Sequence, residues 1–342
     1  MQDSPRILTK YRNQVEEYLQ QISFAGEPGL SNIIQYHLGW ADKYGNPISS
    51  FQGKGIRSSL CMFTCEAVGG LTLQSIAGAA AIELVHNFSL IHDDIQDGDE
   101  ERRHRSTLWS IWGVPVALQV GNYMRILADL SIYNPINCYL DPDILLKSTE
   151  ILTGAYLETV EGQYLDLSFE GRADITISDY LDMINRKTGA LISCALHIGS
   201  IAGTKDKLVI EGLARLGRVL GIIFQIRDDY LGVWGSEKLT GKSFGSDIRR
   251  KKNSLPIVHT LQEASNIDRG KVISIFSKDF VTESDVLWVL SLLDKLKTTT
   301  YIDSLAEMYA SKAMKELEEL NIERTNKSAF EELIDFLINR QT

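Results

Sequence analysis

Residues 83–107 read ELVHNFSLIHDDIQDGDEERRHRST. The stretch closes a long apolar run, rich in Ala, Ile and Leu, that extends from Ser75 to Asp97. That length favours a buried helix over a strand. On a helix Asp93 and Asp97 stand at i and i+4, so both carboxylates project to one side, and Asp94 adds a third nearby. Three carboxylates at a helix C-terminus repel one another and oppose the helix dipole. Hard divalent cations would relieve the crowding. Oxygen donors with few protein ligands suit Mg²⁺ that also holds substrate phosphates. Read alone, the stretch also fits a solvated acidic helix end.

A second acid-bearing stretch makes that bland alternative harder to sustain. Residues 224–247 read FQIRDDYLGVWGSEKLTGKSFGSD. Gln225, Asp228 and Asp229 stand at i, i+3 and i+4, again at the end of an apolar helix, and the following loop supplies Lys242 and Asp247. If the two helices lie side by side, their acids face each other across a cavity, where metal ions could bridge a polyanion.

Basic residues complete the set. Lys54 and Arg57 open an apolar helix, Arg102 and Arg103 follow the first acids, Lys187 sits in RKTGALI and Lys242 in TGKS. Each alone reads as a solvated charge. Together they offer cations for diphosphate oxygens, with arginine suited to forked contacts and lysine to a compact one. His86 lies two turns before Asp93 on the same face, whereas His92 is expected to point elsewhere and serve packing. The segment Gly235–Ser243 looks like a phosphate-binding loop, but it has five residues between its glycines and follows a helix, so nucleotide binding there is rejected. No HExxH, GxSxG or EF-hand pattern appears.

Outward from these segments, helical periodicity dominates. It predicts helices over Arg57–Val68, Leu145–Leu167, Ser178–Ala202, Lys207–Trp234, Leu305–Leu320 and Ala329–Ile338. Thr282 with Asp285, and Ser328 with Glu331, have capping-box spacing. Loops are expected at Gly26–Ser31, Lys43–Gly55, Gly98–Thr107, Asn134–Asp143, Glu170–Ser178, Gly235–Ser254 and Ser265–Arg269. No sustained period-2 alternation requires a sheet. The expected architecture is all-α, a single domain over 1–342 with helices around a central cavity.

The 342 residues include 45 acidic and 35 basic side chains, a formal net charge of −10. That balance argues against broad nucleic-acid binding and against a basic membrane-surface protein. Cys61, Cys65, Cys138 and Cys194 match no CxxC pattern and read as buried thiols. No apolar leader is visible before Gln20, and no uncharged apolar run reaches the ~18 residues of a membrane span. A reducing cytoplasm is the expected setting.

The ordered set of motifs resembles the trans-isoprenyl diphosphate synthase (polyprenyl synthetase) family from about Phe51 to Pro256. Asp93–Asp97 matches its DDxxD motif, with Arg102 and Arg103 at the family's spacing. Lys54 and Arg57 match GKxxR, and His86 matches an upstream histidine. Gln163 and Asp166 fit GQxxD, while Lys187, Thr188, Gln225, Asp228, Asp229 and Lys242 match later elements. The resemblance implies the isoprenoid synthase fold and a short-chain prenyltransferase, usually a homodimer. It implies that Asp93, Asp97 and Asp228 ligate Mg²⁺, with Asp94 and Lys187 also in the catalytic set. Arg102, Lys187, Thr188, Gln225 and Lys242 would bind the allylic diphosphate. Lys54, Arg57, His86 and Arg103 would bind isopentenyl diphosphate. The diphosphate leaves the allylic carbon, the isopentenyl double bond attacks, and a proton is lost, so no side-chain nucleophile is needed.

Three positions depart from the family pattern. Gly232 stands where a last aspartate is frequent, His104 where a glycine is usual, and Asn122 where an aspartate is common. Phe88, about 7.5 Å below Asp93 at helical rise, would block a growing tail. The resemblance therefore implies a C20 geranylgeranyl product first and C15 farnesyl second. A terpene cyclase on the same scaffold and a non-catalytic partner subunit are the rival readings. Retention of the isopentenyl set and of both acid pairs speaks against them.

Overall fold

The computed structural model describes residues 5–23, 26–48, 55–134, 140–235 and 244–340. Lys54, Cys138 and Lys242 lie outside the described residues. The chain runs through α1 (Arg6–Thr9), α2 (Arg12–Ser23), α3 (Pro28–Leu38), α4 (Ile56–Ala67), α5 (Ile76–Gln96), α6 (Leu108–Trp112), α7 (Val114–Ile132) and α8 (Pro142–Phe169). It continues through α9 (Ile177–Ile184), α10 (Ala190–Gly203), α11 (Lys207–Trp234), α12 (Ser246–Arg249), α13 (Leu255–Glu263), α14 (Asn266–Phe276), α15 (Glu283–Lys295), α16 (Thr298–Glu319) and α17 (Arg324–Asn339). The fold is all-α, as the periodicity predicts.

Helix α5 explains the arrangement. Every residue from Ile76 to Val85 is buried, so this half of the helix has no solvent face and must be wrapped on all sides. Helices α4, α7 and α10 pack on it. Helix α11 packs between α10 and α16, burying Leu213, Leu216, Leu220 and Ile223. Helix α5 turns polar at its C-terminus, where its acids stand, whereas α11 carries its acids before its last turn and continues into the buried Leu231 and Val233. Cys61, Cys65 and Cys194 are buried free thiols, as small apolar packing residues should be.

The only strands among the described residues are the two-residue pieces β1 (Glu101–Arg102) and β2 (Arg105–Ser106), paired antiparallel. Arg103 and His104 connect them with φ of 52° and 61°. Positive φ at both central residues fits a type I′ hairpin turn. This is the strain expected if His104 takes a glycine's place, and histidine tolerates the left-handed region better than most side chains.

Several polar stretches expected as loops begin helices instead. Pro28 occupies the first turn of α3 with Glu27 as its cap. Ser265 caps α14 through the amide of Asp268. Residues 178–202 do not form one helix, because a π-turn over Asn185–Gly189 separates α9 from α10. The Thr282–Asp285 capping box is present. Ser328 caps nothing, since α17 already starts at Arg324. Asn326 donates to the carbonyl of Ala67 and Lys327 to that of Glu318, and these contacts extend the helix by a turn.

Urea denaturation should separate the two cap readings. Thr282→Ala should cost about 1 kcal/mol, whereas Ser328→Ala should stay within about 0.5 kcal/mol of the parent.

Candidate active site

The acid-bearing ends of α5 and α11 open on one cavity of about 1340 Å³, which Asp93, Asp97 and Asp228 all line. The expectation that the two acid rows share a space therefore holds. Neighbouring residues on a helix point about 100° apart, and each acid pair divides accordingly. Asp94 is buried and does not line this cavity. It accepts from Arg102 Nε at 2.6 Å, and burial pushes its carboxyl up to about 6 despite that partner. Asp229 likewise turns inward. It accepts from Tyr180 Oη at 2.7 Å, from Gln225 Nε2 at 2.8 Å and from the Leu255 amide at 2.8 Å, and burial pushes it up to about 7. Asp94 was expected in the catalytic set; in the structure it orients Arg102 from behind.

The cavity acids are held by cations from distant segments. Lys252 Nζ lies 3.1 Å from Asp97 Oδ2, and Arg340 Nη2 donates to Asp228 Oδ1 at 2.8 Å. Desolvation raises the Asp93 carboxyl, opposed by the nearby Lys187 ammonium and reinforced by Asp97. Among the described residues no three acidic, His or Cys side chains stand close enough to hold an ion by themselves. The donors are carboxylate oxygens on two walls, which fits Mg²⁺ that takes one or two carboxylates and completes its shell from substrate phosphate and water.

Basic groups reach the same cavity from three segments. Arg57 of α4, His86 of α5 and Arg103 of the hairpin turn all line the cavity. Burial lowers the Arg57 guanidinium to about 10. Burial, followed by the charges of Arg57, Arg103 and Arg102, holds His86 well below the usual histidine range. His86 is therefore a neutral hydrogen-bonding group among guanidinium cations, an arrangement suited to a polyanion.

Lys187 reaches the cavity from the π-turn, a device that re-aims side chains at functional positions. Its Nζ lies 2.6 Å from Asp166 Oδ2. The turn nests against Gly162 of α8, where a Cβ would stand 2.2 Å from the Lys187 backbone nitrogen. Thr188 donates to Gln225 Oε1 at 2.7 Å, and Gln163 Nε2 donates to Gln96 at 2.9 Å. At Gly232 a Cβ would meet Asp247 Oδ2 at 2.2 Å. The Asp247 carboxylate from α12 therefore packs against Gly232 and leaves no room for a side chain there, though Asp247 itself is buried and does not line the cavity.

Phe88 lies at the cavity wall, 5% exposed, edge-on to Tyr156 with ring centroids 5.4 Å apart. His92 was expected to point elsewhere. It instead lines the same cavity, with its ring centroid 4.4 Å from that of Phe88. Asn122 also lines it. Among the cavity residues that went unread in the sequence are Lys252, Tyr156 and Arg340. Lys252 ends the basic run Arg249–Lys252, a signal that could have been taken up. Tyr156 and Arg340 carry no local signal.

A family model described as polyprenyl synthetase matches residues 39–293. A (2E,6E)-farnesyl diphosphate synthase of Mycobacterium tuberculosis is 30% identical, over 94% of this chain and 89% of its own length. The crystal structure of a polyprenyl synthetase from Streptomyces coelicolor superposes with a TM-score of 0.89 at 31% identity, covering 97% of this chain and 98% of that one. A geranylgeranyl pyrophosphate synthetase structure from Pyrococcus horikoshii gives 0.86 at 34% identity, over 98% and 97%.

Gly162→Ala must displace the π-turn that carries Lys187. Because a misplacement of about 1 Å can cost on the order of 100-fold, calorimetric affinity for inorganic pyrophosphate with Mg²⁺ should fall at least tenfold while the helical signal persists.

Proposed function

The chain belongs to the polyprenyl synthetase family and is a short-chain prenyl diphosphate synthase, and we propose that it extends an allylic diphosphate with isopentenyl diphosphate to the C20 geranylgeranyl product. The observation that carries the reading is the shared cavity, lined by acids from two helices and also by Arg57, His86 and Arg103. More cationic groups line the cavity than one diphosphate held at the acid rows needs, with Arg57, Arg102, Arg103, Lys187 and Lys252 all present, and this supports two anionic substrates rather than one. It therefore supports transfer over cyclisation.

Asp93, Asp97 and Asp228 would hold Mg²⁺, which when bound supplies Lewis-acid neutralisation of the departing diphosphate. Arg102 and Lys187 add fixed cations to the same group, and charge preorganised where the leaving group becomes negative favours the transition state. Arg103, Arg57 and the neutral His86 orient the isopentenyl diphosphate so that its double bond faces the allylic carbon. Thr188 and Gln225, hydrogen-bonded to each other, would bind the same allylic diphosphate. Lys54 and Lys242 belong to this reading by motif alone. The proton lost after bond formation passes to the departing diphosphate, so the side chains need only bind and orient.

Phe88 with Tyr156 supports a floor that stops a short tail, C20 first and C15 second. Tyr309 packs against both the core around α5 and the one around Tyr180 and Ile226, and Trp234 bridges the latter to the core around Val233 and Val289, which supports one domain across 1–342. Helices α7 and α8 expose Ile126, Leu130 and Leu157, and these apolar side chains support a homodimer. No helix among the described residues is long and apolar enough to cross a membrane. The three buried free thiols support a reducing, cytoplasmic setting.

Product analysis with Mg²⁺, isopentenyl diphosphate and each short allylic primer tests the reading. Asp93→Ala should lower kcat/KM at least about 100-fold with the circular dichroism unchanged. Retained turnover would remove Asp93 from the role. Phe88→Ala should shift the product to longer chains, and an unaltered profile would place the floor elsewhere. Light scattering on Leu130→Glu should report monomers.

A further inference from the structure

We propose that Arg340, the residue that ends α17, is a positioning residue for the metal–diphosphate end of the cavity, acting through Asp228. This rests on the reading of Asp228 as a metal-holding carboxylate. Nothing in the sequence pattern assigns Arg340 a part.

Its side chain is 3% exposed, yet the Asp228 side chain that it holds is 43% exposed toward the cavity. The pair spans 112 residues of sequence. Arg340 Nη2 donates to Asp228 Oδ1 at 2.8 Å, and its guanidinium carbon stands 4.1 Å from the ring centroid of Phe224. Phe224 and Asp228 are one turn apart on α11, so the guanidinium sits over the ring of one and bonds the carboxylate of the other. Arg340 Nε is buried with no hydrogen-bond partner.

Burying a guanidinium with an orphaned N–H is costly. An aliphatic residue would close this corner of the core more cheaply, as Leu337 does one turn earlier at 3% exposure. The charge makes sense where it meets another charge, and the carboxylate it meets is the one that α11 turns into the cavity. A stacked planar fork fixes the direction of a carboxylate in a way that a flexible ammonium does not. Arg340 thus sets the orientation of Asp228 toward the wall carrying Asp93 and Asp97. It also makes the end of α17 part of the site.

The test is calorimetric titration of the whole protein with inorganic pyrophosphate at fixed Mg²⁺, with the Mg²⁺ dependence of turnover beside it. Arg340→Met should weaken pyrophosphate binding by about 10- to 100-fold, the range for a lost charge-assisted hydrogen bond. It should also move half-saturation by Mg²⁺ to higher concentration. Arg340→Lys, which keeps the charge and loses the fork, should fall between. In an Asp228→Asn background, Arg340→Met should add little, because the two act as one unit. Leu337→Ala, a packing change at the same corner, should lower the melting temperature and leave both readouts unmoved. The proposal is overturned if Arg340→Met binds magnesium pyrophosphate like the parent, if Leu337→Ala weakens it equally, or if the double variant shows additive losses. Failure of the parent protein to bind magnesium pyrophosphate would overturn the metal reading of Asp228 itself, and this inference with it.

Discussion

Like charges gathered in one cavity must be balanced from somewhere, and most of the site follows from that constraint. Carboxylates on two helix ends repel each other more strongly as the dielectric falls. The chain answers with cations from remote segments. Lys252 meets Asp97 across 155 residues, and Arg340 meets Asp228 across 112. Lys187 is held at Asp166 and Arg102 at Asp94. The acid pairs also divide the labour, since one member of each faces the cavity while its neighbour anchors the wall. Asp229 ties α9, α11 and the start of α13 together through three hydrogen bonds. A substrate polyanion with its cations thus enters a cavity whose charges already point inward.

Irregular backbone gathers around the same cavity. The hairpin turn places Arg103 and His104 at positive φ, and the π-turn over Asn185–Gly189 presents Lys187. Both depart from regular geometry at points where a cation must reach inward from an element that would otherwise run past. Strain of this kind persists only where the surroundings over-determine it. Here Gly162 provides the space for one device, and the Asp94–Arg102 pair anchors the other.

The long helices were legible because their apolar patterns run well beyond the length of a strand. Residues 207–234 emerge as one helix in both the periodicity and the structure, and α5 differs by a residue at each end. Helix beginnings were harder to read. Glu27–Pro28 and Ser265–Asp268 look like loop composition because first-turn residues are polar, their side chains serving unpaired amides. Ser328 has the right spacing for a cap, yet the contacts of Asn326 and Lys327 start the helix earlier. Local pattern proposes such a boundary, and tertiary packing places it.

By itself the sequence determined the helical architecture, the two acid rows and the identity of most groups around them. Those properties depend on spacing along one helix, which the chain carries locally. Only the tertiary structure decided which acid of each pair faces inward, that His92 joins the cavity beside Phe88, that Asp247 fills the space at Gly232, and that Lys252 and Arg340 hold the acid rows. Those outcomes depend on which distant segments meet once the apolar faces of α5 and α11 are buried, and no local spacing encodes a meeting across more than a hundred residues.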